Sequence, residues 1–99
     1  MLPDRHSADR IHTVELLEQG IAALEALGYR TRVETELGRS LICTIKGHPT
    51  LILDPSQPQR DQLDVVLEAL CQEQHRLHVT LPIELQRVIE FQTNRRRAA

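Results

Sequence analysis

The sequence predicts a small α+β domain in which helices pack on one face of a three-stranded antiparallel sheet. Apolar residues repeat every three or four positions near both ends of the chain, and the repeat changes to two between Tyr29 and Leu53. Turn residues separate these segments, as expected for elements that alternate in type. The 99 residues suffice for a single domain, residues 1–99, with a modest core.

An apolar stripe predicts the first helix. Ser7 or Asp9 can cap its start, and Leu27 and Gly28 end it, because glycine adopts the left-handed conformation that closes helices. Gly20 lies inside the pattern and should cost about 1 kcal/mol relative to alanine. We expect residues 1–6, before the helix, to be disordered. The stripe consists of Ile11, Val14, Leu17, Ile21 and Leu24.

Three short segments predict the sheet. Residues 29–37 alternate between charged side chains and apolar or threonine side chains, which is typical of a half-buried strand. Residues 41–45 and 51–53 form two further apolar segments, and short turns at 38–40 and 46–49 separate the three. Strands joined by such turns favour an antiparallel meander, in which each strand pairs with the next.

Two helices are predicted after the sheet. Ser56 is a good N-cap, Pro58 fits a first helical turn, and the second helix should run to about Gln74. Pro82 can start a short third helix, and residues 94–99 form a polar tail that we expect to be disordered. The apolar stripe of the second helix is Leu63, Val66, Leu67, Leu70 and Cys71, and that of the third is Ile83, Leu85, Val88 and Ile89.

Composition argues against several classes of function. Tyr29 and Phe91 are the only aromatic residues and the net charge is −2, so we expect no nucleic-acid partner. No apolar run is long enough for a membrane span and no signal peptide is recognisable, so we expect no membrane partner. Two cysteines without a C-x-x-C pair do not make a disulfide scaffold. We therefore expect a cytoplasmic protein.

The middle of the second helix reads Leu67-Glu68-Ala69-Leu70-Cys71. On an H-E-x-x-H zinc-peptidase helix, Glu68 matches the general base, and Leu67 and Cys71 match the two zinc-binding histidines. A helix and a small sheet precede this segment, and an isoleucine-containing strand with a polar turn leads into it. In this layout, residues 28–74 resemble the ImmA/IrrE-like metallopeptidase domains.

The departures from that motif bear on the chemistry. Leu67 has no atom that can bind zinc, and without the metal Glu68 has no bound water to deprotonate. The resemblance therefore implies a domain that has lost its zinc site and its peptidase activity. The simpler interpretation makes Leu67 and Cys71 ordinary core residues and Glu68 a solvated one.

A second set of residues leaves a metal site open as an alternative. Cys71, His75 and His78 would share one helix face if the second helix continued through them. Together with Glu68 they suggest a metal-binding protein or a hydrolase. Against this, Cys71 lies on the apolar stripe, where free cysteine behaves as a small hydrophobic residue. Asp54 follows the third strand, where a carboxylate more often bonds the amides of its own turn. We predict no catalytic, cofactor-binding or metal-binding residue and no cofactor.

The sheet offers a candidate interaction face. If alternate residues of the strands point at the helices, Ile42 and Thr44 point away, beside charges of both signs. The charged residues are Arg30, Arg32, Glu34 and Glu36, which are self-complementary across an antiparallel two-fold contact. We therefore predict a non-catalytic protein-interaction module that binds a protein partner or forms a homodimer. A plain solvated sheet face is the alternative.

Overall fold

Three helices and a three-stranded sheet make up residues 5–73 and 81–98, the part of the chain that the computed structural model describes. Side chains are described over residues 12–73 and 81–95. In chain order the elements are α1 (Arg5–Ala26), β1 (Arg30–Val33), β2 (Leu41–Ile45), β3 (His48–Leu53), α2 (Gln59–Gln72) and α3 (Ile83–Ala98). The predicted α+β class is confirmed. None of the described helices is long and apolar enough to cross a membrane.

Helix α1 ends where the sequence predicts. Gly28 has a φ of 99°, in the left-handed region that glycine adopts without strain. The amide of Tyr29 donates to the carbonyl of Leu24 at 3.0 Å, which closes the last turn. The helix begins at Arg5, ahead of the predicted caps at Ser7 and Asp9, so residues 5 and 6 are helical.

The strand order corrects the predicted meander. Strand β3 lies in the centre, where it pairs parallel with β1 and antiparallel with β2. The sheet is therefore mixed, and β1 and β2 form its two edges. A meander would have made these two strands neighbours.

The segment between β1 and β2 explains this order. Strand β1 ends at Val33, before its predicted end, and leaves residues 34–40 as a connection longer than a tight hairpin turn. Glu36 and Gly38 turn the chain there with φ values of 65° and 83°. The amide of Gly38 donates to the carboxylate of Asp54, just past the end of β3, at 2.7 Å. The connection therefore crosses the end of β3, and β3 fits between β1 and β2.

The antiparallel hairpin of β2 and β3 turns at Lys46 and Gly47. Their φ values of 51° and 83° are those of a two-residue type I′ turn, and β3 accordingly starts at His48. Pro49 lies within β3, opposite Thr44. Pairs alternate along an antiparallel ladder, and this one is not hydrogen-bonded, so the missing N–H of Pro49 costs the pairing nothing.

The first and last residues of α2 and α3 differ in part from those predicted. Pro58 takes the N-cap position of α2, and the hydroxyl of Ser56, the predicted cap, donates instead to Asp54 at 2.6 Å. Helix α2 ends at Gln72, close to its predicted end. Helix α3 follows Pro82 as predicted but continues to Ala98, so residues 94–98 of the predicted disordered tail are helical.

The core lies between α1, α2 and one face of the sheet. Leu51 and Leu53 of the central strand belong to the same buried cluster as Leu24 of α1 and Leu70 of α2. Helix α3 packs on α1 and α2 and adds Leu85 to the cluster. The described helices therefore cover the sheet face that carries Leu51 and Leu53, which we call the inner face. The opposite face is called the outer face.

Candidate functional site

Helix α2 directs Glu68 and Cys71 toward different neighbours. Glu68 is exposed and lines a cleft that α2 forms with Ile42 of β2. Cys71 is half-buried against α3, where its sulfur accepts from the Thr93 hydroxyl at 3.7 Å and lies 3.9 Å from the carbonyl oxygen of Ile89. The two residues of the metal-binding alternative that the structure describes therefore do not converge on one site.

The position that matches the first zinc-binding histidine lies in the core. Leu67 is 2% exposed and packs within the buried cluster. His75 and His78, the other two residues of the alternative, lie outside the described residues. Within residues 5–73 and 81–98, no three His, Cys, Asp or Glu side chains lie close enough together to hold a metal ion.

Asp54 is held in a closed hydrogen-bond network. Its buried carboxylate accepts from the hydroxyl of Ser56 at 2.6 Å, from the Ser56 amide at 2.9 Å and from the Gly38 amide at 2.7 Å. The hydroxyl of Ser40 accepts from the Asp54 amide at 3.0 Å and donates to Gln57 at 2.7 Å. The two bonds from Ser56 lower the pKa of Asp54, against the opposing effect of burial, and the Gly38 amide adds to the lowering. Asp54 therefore joins two loops, as expected for a structural carboxylate.

The register does not bring the predicted interaction face together. Ile42 lies opposite Leu51, which is fully buried against the helices, so Ile42 and Thr44 belong to the inner face. Arg30 and Arg32 lie opposite Thr50 and Ile52, on the outer face. The neighbour of β2 is β3 rather than β1, and a shift of one residue in register exchanges the two faces of a strand.

The outer face carries Leu41, Cys43 and Ile45, which the predicted alternation of β2 directs at the helices. Thr50 is 1% exposed at its centre, between Arg30 and Cys43 in neighbouring strands. Apolar residues around it are half-buried and do not belong to the core cluster. They are Leu41, Cys43, Ile45 and Ile52. The outer face is therefore more apolar than the sequence pattern of β1 alone indicates.

Strand β1 forms the first edge of the sheet. The side chains of Arg32 and Glu34, two residues apart, form an ion pair at 2.8 Å. Between them, Val33 points to the inner face but is 64% exposed, because it lies at the end of an edge strand. Glu36 follows in a turn and not in the strand. Val33 alternates with charged residues as a buried side chain does, so the sequence carries no local signal of its exposure.

Strand β2 forms the second edge, beside a cleft of about 370 Å³. Ile42 lines one wall of this cleft and is 36% exposed. The other wall belongs to α2 and consists of Val65, Glu68, Ala69 and Gln72. Sequence reasoning singled out Ile42 and Glu68 separately but missed that they face each other, because 26 residues and a strand separate them along the chain.

Comparisons with known proteins identify no relative of this chain. The chain matches no family model, no curated protein and no solved structure. The resemblance of residues 28–74 to the ImmA/IrrE-like metallopeptidase domains stays a prediction from the sequence.

Proposed function

We propose that this chain is a non-catalytic protein-interaction domain whose partner is a second copy of itself, paired through the β1 edge. The observation that carries the proposal is the sequence of that edge. An exposed valine, Val33, stands between Arg32 and Glu34, which bear opposite charges. An edge strand of this kind is self-complementary about a two-fold axis.

The backbone of β1 suits such pairing. The amide of Glu34 donates inward to the carbonyl of Leu53 at 3.0 Å. Peptide groups alternate in direction along a strand, so the N–H and C=O of Val33 point away from β3. No other described strand pairs with β1 on that side. Two copies that meet at Val33 would exchange both of these hydrogen bonds, as an antiparallel hydrogen-bonded pair does.

The charges favour the same register, in which the two Val33 residues lie opposite each other. With Val33 opposite Val33 of the second copy, Arg32 of each copy lies opposite Glu34 of the other. Arg32 and Glu34 form a pair that is not hydrogen-bonded through the backbone, in which side chains approach most closely. A register shifted by two would place Arg32 opposite Arg32, which is repulsive. The two intrachain ion pairs, one in each copy, can therefore be exchanged for two interchain pairs.

The dimer is expected to be weak. Exposed ion pairs contribute at most about 1 kcal/mol each, and a short edge buries little apolar surface. The two Val33 side chains and the backbone hydrogen bonds would supply the rest. The outer faces of the two sheets would become continuous across the dimer.

The non-catalytic part of the proposal is supported by α2. Glu68 lies in the cleft beside β2, Cys71 contacts α3, and Leu67 is in the core. General-base chemistry of the H-E-x-x-H type needs the carboxylate beside a metal-bound water. Glu68 has neither of the motif's histidines beside it, since Leu67 and Cys71 occupy their positions.

A charge exchange tests the dimer. Arg32→Glu and Glu34→Arg each place like charges opposite one another in the symmetric pair, so each variant alone should be a monomer. When the two variants are mixed, positions 32 and 34 carry only glutamate in one chain and only arginine in the other. Opposite charges then face each other at both positions, so the mixture should form a heterodimer. Sedimentation equilibrium at protein concentrations up to about 1 mM detects association of this strength.

Arg39→Glu is the matched control, since Arg39 is exposed and lies outside β1, in the connection that precedes β2. It should associate as the unchanged chain does. A monomeric unchanged chain at the highest concentration, or a mixture of the two variants that stays monomeric, would refute the proposal.

A further inference from the structure

We propose that the cleft between β2 and α2 binds an extended peptide, which adds to the sheet as a strand beside β2 and presents apolar and basic side chains to α2. This site lies at the opposite edge from β1 and goes beyond the proposed dimer. It uses the backbone of β2 for binding and the wall of α2 for selectivity.

The backbone of β2 is oriented to accept a strand. The two-residue turn makes Ile45 and His48 a hydrogen-bonded pair, and such pairs alternate along the ladder. The N–H and C=O groups of Ile42 and Thr44 therefore point away from β3, toward the edge with which no other described strand pairs. A peptide residue paired with Ile42 would place its side chain on the inner face, which is the face that borders the cleft.

Strand β2 lacks the features that normally prevent pairing at a sheet edge. Natural edges are protected by charged side chains, prolines or bulges. Residues 41–45 contain no charge and no proline, and every one of them pairs in register with β3. Arg39 and Lys46 lie before and after the strand. Within residues 5–73 and 81–98, β2 therefore has an unpaired side along its whole length at which a strand can be added.

The wall of α2 determines what the peptide should contain. Val65 and Ala69 give it an apolar part, which with Ile42 accommodates an aliphatic side chain. The helix stripe on this side runs through Asp61, Val65, Glu68 and Gln72, and its two charged residues are both acidic. A lysine or arginine two residues from the aliphatic residue lies on the same side of the peptide and is attracted to this stripe.

The same charges disfavour a second copy of this chain at β2. Pairing of two β2 strands about a two-fold axis would bring the two α2 stripes side by side on the inner face. Their acidic residues would then oppose one another, and like charges across an interface are unfavourable. The occupant is therefore a different, basic segment.

The probe is a fluorescein-labelled peptide of about eight residues with threonine at every second position. Valine and lysine take turns at the positions between the threonines. Its valines and lysines share one face, as the cleft requires. Fluorescence anisotropy should show saturable binding at peptide concentrations below about 1 mM. A peptide with glutamate in place of lysine should have a dissociation constant at least about fivefold higher.

Three substitutions, one of them a control, test whether the peptide binds in the cleft. Glu68→Lys should reverse the preference, so that the glutamate peptide binds better than the lysine peptide. Asp64→Lys makes the same change of charge on the side of α2 that faces α1 and α3. It should leave the preference for the lysine peptide unchanged. Thr44→Pro removes an outward N–H that β3 does not use and should abolish binding while the circular dichroism spectrum is kept.

The result is distinguishable from that for the dimer. The Arg32→Glu variant, which should be monomeric, is expected to bind the peptide as the unchanged chain does. No binding up to about 1 mM, or equal effects of Glu68→Lys and Asp64→Lys, would overturn the peptide site and leave the dimer proposal standing.

Discussion

Gly20 shows how one residue's role depends on a neighbour far along the chain. In a helix this glycine is unfavourable by about 1 kcal/mol relative to alanine. A Cβ atom at Gly20 would lie 2.5 Å from Cγ1 of Val66, which is fully buried in α2. The glycine therefore permits the close approach of α1 and α2, and its local cost is offset by packing.

Gly20→Ala should destabilise the protein, although it improves helix propensity. Overpacking of a tight core costs about 1–3 kcal/mol, which exceeds the gain in propensity. Urea denaturation measures the difference. In a Gly20→Ala/Val66→Ala double variant, the loss should be smaller than the sum of the two single losses, because the clash is gone. A stabilised Gly20→Ala variant would contradict this account of the helix contact.

Asp54 predicts a pH dependence. Its pKa is lowered in the folded protein, so the ionised carboxylate stabilises the fold above the ordinary carboxyl pKa of 3.8. That stabilisation is lost as the pH falls through the lowered value. Asp54→Asn should therefore lower the urea midpoint at neutral pH, and the gap from the unchanged chain should narrow below pH 3.8. A gap that stays constant in acid would show that ionisation of Asp54 contributes nothing.

At the scale of elements, the two sides of α2 have different surroundings, the core on one side and the cleft on the other. Leu67 belongs to the core cluster, and the adjacent Glu68 faces the cleft. Successive residues on a helix point about 100° apart, so neighbours in sequence can have unrelated roles. The short segment that resembles a zinc-peptidase motif is divided in this way between core and surface.

Substitution of these two residues should give opposite results. Leu67→Ala should cost about 2–5 kcal/mol of stability, because it leaves a cavity in the core. Glu68→Gln should change the free energy of unfolding by no more than about 0.5 kcal/mol, because the side chain is exposed. Both are read from denaturant unfolding curves. A large loss from Glu68→Gln would mean that the carboxylate stabilises the fold, contrary to its exposed position.

At the scale of the whole molecule, one small sheet has two edges of different character. The β1 edge carries alternating opposite charges, whereas the β2 edge is uncharged and borders a cleft. Strands β1 and β2 form these edges because β3 occupies the centre. In a meander β2 would be the central strand, and neither the cleft nor its open backbone would be available.

We expect the purified protein to contain no stoichiometric zinc. Leu67 cannot bind a metal, and Cys71 is packed against α3. Catalytic zinc sites usually take three ligands from the protein. Elemental analysis of protein prepared without chelators checks this. About one zinc per chain that disappears in Cys71→Ala would support the metal-binding alternative with His75 and His78.

The site was less predictable than the fold. Arg32, Glu34 and Ile42 were recognised from the alternation of β1 and β2, but as members of one face. The register puts Ile42 on the inner face, where it meets α2, and Arg32 on the outer face. Alternation shows that two faces differ, and the pairing partner decides which face meets the helices.

The sequence by itself determined the type and order of the elements, because these follow from local periodicity and from residues such as Gly28 and Pro82 that end or start helices. The order of the strands was decided only by the tertiary structure. It depends on contacts such as that of Gly38 with Asp54, 16 residues apart, which hold the connection over the end of β3. Such contacts leave no periodic pattern in the sequence, since either partner alone is an ordinary turn residue.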